Sequence, residues 1–71
     1  MAFVRVGQIK AQAGKSEELR GIYEREAIPK IRAASGNISA VILQQHNSEE
    51  DFLAITIWKT KEDAEAYDKS G

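Results

Sequence analysis

Phe52-Leu53-Ala54-Ile55-Thr56-Ile57-Trp58, followed at once by Lys59-Thr60-Lys61-Glu62-Asp63-Ala64, decides how this 71-residue chain folds. Successive side chains of a strand point to opposite faces, so Leu53, Ile55 and Ile57 go one way and Phe52, Ala54 and Trp58 the other. Both faces of the strand are therefore apolar. A helix follows directly, with Thr60 as its N-cap and Asp63 three residues on, the spacing of a capping box. That helix and its fellows can cover one face of a sheet. A chain of this length has little left to cover the second, so the pattern predicts that another copy of the chain does so.

Upstream, Asn37 to Gln45 repeats the two-sided pattern, with Ile38, Ala40 and Ile42 alternating against Val41 and Leu43. The polar segment His46-Asn47-Ser48-Glu49-Glu50-Asp51 joins the two strands as an antiparallel hairpin. Near the N-terminus Phe3 to Lys10 reads as a strand, with Phe3, Arg5, Gly7 and Ile9 on one side and Val4, Val6, Gln8 and Lys10 on the other. Gly14 breaks it, and Ser16 is the expected N-cap of a helix whose first turn carries Glu17 and Glu18, where the helix dipole favours acids. Leu19, Ile22, Tyr23, Ala27 and Ile31 form its buried stripe at i, i+3, i+4 spacing. Pro29 kinks that helix near Ile28 or restarts it at a first-turn position, and Gly36 ends it. Ala64, Ala66 and Tyr67 mark a short final helix.

Strand, helix, strand, strand, helix is an α+β order, the ferredoxin-like β-α-β-β-α-β unit without its last strand. In that topology the last strand pairs beside the first, so the edge of Phe3 to Lys10 is expected to be open. We read residues 1–71 as a single domain cut before its final strand.

Ten basic and eleven acidic residues give a formal charge of -1 and a pI near 5.8, which offers no electrostatic footprint for nucleic acid or an anionic membrane. There is no cysteine and one histidine, so disulfides, thiolate metal sites and histidine-rich centres are excluded, and no metal site is expected. Met1-Ala2-Phe3-Val4-Arg5 enters the first strand without a signal core, and no apolar run has the length of a membrane span, which points to the cytoplasm. A domain below roughly 70–80 residues seldom gains more than about 3–5 kcal/mol from its own core, so with disulfides and metals gone association is the remaining staple.

Phe3-Val4-Arg5-Val6-Gly7, Ala13-Gly14-Lys15, Glu26-Ala27-Ile28-Pro29, Gly36 and above all the run from Phe52 through Trp58 to Tyr67 resemble the antibiotic biosynthesis monooxygenase-like (ABM) domains, over nearly the whole chain. The resemblance implies a homodimer, a dimeric α+β barrel in which two sheets pack face to face with the helices outside. It also implies a ligand cavity between sheet and helices or within the barrel. Some relatives oxidise aromatic polyketides or quinols with molecular oxygen and neither metal nor flavin; others degrade haem. The haem-degrading branch carries an Asn in the first strand, the strand-end Trp and a His in the final helix. Here those positions are Gly7, Trp58 and a segment 61–71 with no His, which argues against haem degradation. The oxygenase branch surrounds its Trp with polar residues, whereas the neighbours here are Ala54 and Ala64. The implied function is a cofactor-independent monooxygenase acting on a small aromatic or quinol-type substrate. The alternatives are a non-catalytic dimeric small-molecule-binding or stress-response module and, more remotely, an effector-binding piece of a larger assembly.

Within that frame Trp58 and Arg5 are the catalytic candidates. Trp58 is either a flat wall for an aromatic ring or a large packing group in the core. Arg5 can pair with a phenolate or carboxylate bidentately, or with an acid of the protein. Gly7, Tyr67, Tyr23 and His46 are the substrate-binding candidates. Gly7 makes a bulge or leaves room for a ligand. Tyr23 and Tyr67 are core or interface residues by default, and His46, an imidazole suited to base chemistry, sits in an exposed turn. The acid pairs Glu17-Glu18, Glu49-Glu50-Asp51 and Glu62-Asp63 belong to caps and turns.

Overall fold

In the computed structural model, which describes residues 1–70, the elements run β1 (Phe3–Lys10), α1 (Ser16–Ile22), a π-helical segment (Tyr23–Ala27), α2 (Ile28–Arg32), β2 (Asn37–Gln44), β3 (Asp51–Trp58) and α3 (Lys61–Ser70). The strands form one antiparallel sheet in the order β1-β3-β2. This is the ferredoxin-like arrangement with the strand beside β1 absent, so among the described residues the outer edge of β1 is unpaired. β3 lies at the centre because its strongly β-forming sequence is apolar on both faces and bonded on both sides.

β2 and β3 form the expected hairpin, with one irregularity. The register shifts between Asn37 and Ser39, placing Ile38 in a bulge where it is exposed rather than on one face with Ala40 and Ile42. The Asn37 side chain fills the interruption, its amide donating to the carbonyls of Ser39 and Ile57 at 3.2 and 3.3 Å. Two carbonyls beside the bulge thus gain a donor.

Two helical expectations are corrected. Ser16 does not cap α1: the capping position is Lys15, with no side-chain cap bond, and the Leu19 amide closes the first turn on the Lys15 carbonyl at 2.9 Å. The buried stripe also shifts. Ile22 is exposed and Tyr23 half-buried, whereas Ile28 and Ile31 are buried. The cause is the π-helical segment, whose closing amide at Ile28 donates to the Tyr23 carbonyl five residues back. One extra residue in a turn rotates the following face by about 100°. Pro29, in the first turn of α2, follows at once; lacking an amide, it disfavours the ordinary i→i−4 ladder at this point.

Thr60 caps α3 as expected, its hydroxyl accepting from the Asp63 amide at 3.1 Å. The Asp63 carboxylate lies against Gly36, whose φ of +82° lets the chain leave α2 and enter β2. The Lys59 amide donates to the Gly36 carbonyl at 2.8 Å, fastening the two junctions together.

The core lies on one side of the sheet. Ile28, Ile31, Ala40, Trp58 and Ala64 form one buried cluster, with Ala34 and Tyr67 packed against it. The Arg32 guanidinium donates to the Ala40 carbonyl at 3.0 Å and anchors α2 to β2. On the other side Val4 and Val6 of β1, Val41 and Leu43 of β2, and Leu53, Ile55 and Ile57 of β3 stand in register. Among the described residues no helix covers them, and Val4, Val6, Leu43 and Leu53 are 61%, 58%, 48% and 37% exposed. The shortest dimension of the molecule, 17 Å, accommodates one sheet and one helical layer.

Candidate functional site

The helix-covered face of the sheet is a grid set by the two registers. Phe3, Trp58 and Asn37 form its first row, Arg5, Thr56 and Ala40 the second, Gly7, Ala54 and Ile42 the third, and Ile9, Phe52 and Gln44 the last. Arg5 and Trp58 therefore lie in adjacent rows on the same face of neighbouring strands.

Trp58 is the largest fully buried side chain, 1% exposed. Its indole N–H donates to the Thr56 hydroxyl at 2.9 Å, and its ring meets that of Tyr67 with centroids 5.4 Å apart at an interplanar angle of 35°. Tyr67 reaches it because Thr60 fixes where α3 begins, and Ala64 of the same helix face is small enough to bring that helix close to the sheet. The packing role of Trp58 is thus realised. Arg5 forms an ion pair with Asp68 of α3, the two side chains being 45% and 54% exposed. Such an exposed pair contributes about 0–1 kcal/mol, so an anion of comparable geometry can displace Asp68 at small cost.

Gly7 and Ala54 leave the third row nearly bare. A Cβ built on Gly7 would meet no atom within 4 Å, and β1 is exposed along most of its length. The result is an open stretch of the sheet face at Gly7 and Ala54, next to the row of Arg5 and Thr56. Gly7 is a regular strand residue directly opposite Ala54; it makes room and no bulge.

The remaining candidates are not gathered there. His46 lies in the turn beyond the far end of the hairpin, on the order of 20 Å from Trp58 by strand rise. Tyr23, half-buried in the π-helical segment, belongs to the helical layer over β2 rather than to the Arg5 row. Depressions of about 370 and 730 Å³ sit near that same far end, lined by Gly14, Glu17 and Glu49 and by Lys10, Gln45 and Leu53 respectively. Neither is lined by a candidate residue. Among the described residues no group of three or more His, Asp or Glu side chains is placed to hold a metal ion, and no helix is long and apolar enough to cross a membrane.

Sequence reasoning passed over two members of this site. Thr56 was visible as the one polar side chain on the helix-facing side of β3. Asp68 had no such signal, since only the docking of α3 brings it to Arg5.

The family model described as antibiotic biosynthesis monooxygenase matches residues 2–71. Among curated proteins nothing matches. Among solved structures the chain is similar to a putative antibiotic biosynthesis monooxygenase from Nitrosomonas europaea, with a TM-score of 0.83 and 22% identity over 96% of this chain. The chain spans 64% of the length of that neighbour. At such identity the likeness is one of fold.

Proposed function

The chain belongs to the antibiotic biosynthesis monooxygenase family, and we propose that it is a cofactor-independent monooxygenase acting on a small electron-rich aromatic, a quinol or an anthrone-like phenol. One observation carries this reading: the sheet face is open at Gly7, where an added Cβ would meet no atom within 4 Å, directly beside Arg5, the only cation among the described strand residues of that face. The substrate enters as its anion, its proton leaving to solvent, with the negative oxygen at the Arg5 guanidinium in place of Asp68. The anion passes one electron to molecular oxygen. The resulting substrate radical and superoxide combine into a carbon-bound peroxide anion, which takes a proton back from solvent and then loses water to leave a carbonyl. In balance, for an anthrone-like substrate, the ring methylene gives up both hydrogens and gains one atom of the oxygen molecule, and the other atom leaves with two hydrogens as water. The protein supplies position and charge stabilisation, and Trp58 with Tyr67 forms the rigid aromatic wall behind Arg5.

The unit that works in this way is, in the same proposal, a homodimer. The open face of the sheet, with its Val, Ile and Leu side chains in register, is covered by the same face of a second copy.

A second reading has its own support. Trp58 is fully buried with its N–H engaged, and Arg5 already has a partner, an arrangement that also suits a binding module without chemistry. Oxygen uptake with a panel of quinols and anthrone-like phenols, on metal-free protein, separates the two. Protein-dependent uptake that disappears in Trp58→Phe is the outcome for an oxygenase; a well-folded protein with no uptake above the protein-free control is the outcome for a binding module.

A further inference from the structure

Trp58 is the only tryptophan of the chain, and Thr56 is its sole hydrogen-bond partner among the described residues. A buried indole N–H without an acceptor is costly, and the nearest side chain that the strand can offer is the one two residues back on the same face. Thr56 fills that position and holds the ring in one orientation. Yet a hydroxyl that accepts still has a proton to give. Among the described residues no acceptor takes it. Thr56 is half-buried and stands directly opposite Arg5, a placement that puts the two Cβ atoms about 5 Å apart. The next row holds only Gly7 and Ala54 before Ile42. The hydroxyl rotates, so with the indole N–H on its oxygen its proton is available to an acceptor lying between Thr56 and the Arg5 guanidinium.

We propose that Thr56 is the positioning residue for Trp58 and, through the same hydroxyl, the hydrogen-bond donor that works with Arg5 to select aromatic ligands bearing an oxyanion or carbonyl oxygen. The ligand class rests on the oxygenase reading above; the hold on the indole does not. Valine has the same shape and a higher preference for strands, so packing alone gives no reason for threonine here. The indole N–H gives one reason and the free proton a second.

Two readouts test this on Thr56→Val and Thr56→Ser. The first is the indole 1H–15N resonance, which belongs to one residue and reports the bond directly. The second is the affinity for 4-nitrophenolate, followed by its absorbance at a pH where the probe is ionised. In Thr56→Val the indole proton moves upfield and phenolate affinity falls about tenfold to a hundredfold, the loss expected for a hydrogen bond to a charged acceptor. Thr56→Ser, which keeps the hydroxyl, stays within about twofold and retains the resonance. An unmoved indole resonance in Thr56→Val overturns the positioning role. Equal phenolate affinity in Thr56→Val and the parent protein overturns the donor role. A parent protein that takes up no phenolate overturns the donor role together with the ligand class, and the indole resonance still decides whether Thr56 holds Trp58.

Discussion

At the scale of single residues, Trp58 both fills the core and stands in the row next to the candidate Arg5. It is fully buried in the cluster with Ile28, Ile31, Ala40 and Ala64, so truncation to alanine costs about 3–5 kcal/mol, comparable to the whole stability of a domain this size. Phenylalanine is the useful replacement, keeping most of the ring while removing the N–H that Thr56 accepts. Gly36 is the other position where one atom matters. Its φ of +82° is a left-handed conformation that costs a residue with a Cβ about 1–2 kcal/mol, and an added Cβ would also run into the Asp63 side chain, its own Cβ included at 2.6 Å. Gly36→Ala therefore lowers stability by more than about 2 kcal/mol in urea unfolding. Combined with Asp63→Gly, the added loss shrinks to the conformational part alone. Strict additivity of the two changes would show that Asp63 and Gly36 are not in contact.

At the scale of elements, the long helical region is where a periodic reading and the structure part company. A constant period of 3.6 residues puts Ile22 and Tyr23 on the buried stripe with Ile31; the π-helical segment ahead of Pro29 turns the later face so that Ile28 joins Ile31 inside. Ile28→Ala is expected to lose about 2–4 kcal/mol, and Ile22→Ala, at a site 41% exposed, less than about 1 kcal/mol. Equal urea midpoints for the two variants would place the face where simple periodicity puts it. The strands were more legible. Their alternation gave every face assignment on β3 and the pairing of β2 with β3, because a period of two leaves no room for drift. The bulge at Ile38 was not legible, since it depends on Asn37 reaching across to the Ile57 carbonyl. Of the site, Arg5, Gly7, Trp58 and Tyr67 fall near one another on one side of the sheet, while His46 and Tyr23 fall elsewhere. Residue type nominated all six, and only strand register and helix docking could sort them.

At the scale of the whole molecule, the uncovered sheet face sets the expectation for assembly. Val4, Val6, Val41, Leu43, Leu53, Ile55 and Ile57 form a continuous apolar surface, of the kind that monomeric proteins rarely leave exposed. A second copy on this face makes the melting temperature rise with protein concentration. Lysine at both Val6 and Leu53 places charges in the middle of that face, so the double variant is expected to be monomeric by light scattering and less stable, with its helical signal in circular dichroism at least partly retained. A double variant as large and as stable as the parent would remove this face from the interface. The unpaired outer edge of β1 is a separate feature, and a variant on the sheet face leaves its backbone groups untouched.

The order of the elements, the two-sided character of the strands, the cap at Thr60 and the turns at Gly14 and Gly36 are all written in the chain, because each is dictated by local periodicity or by the conformational range of one residue. The pairing of β1 with β3, and the register of both strand pairs, were settled only when the chain packed in three dimensions. So were the turn of the helix before Pro29, the meeting of Arg5 with Asp68, and the hold of Thr56 on the indole of Trp58. Those outcomes depend on the packing of whole elements against one another, where burial and hydrogen-bond satisfaction choose among arrangements that local chemistry leaves equal.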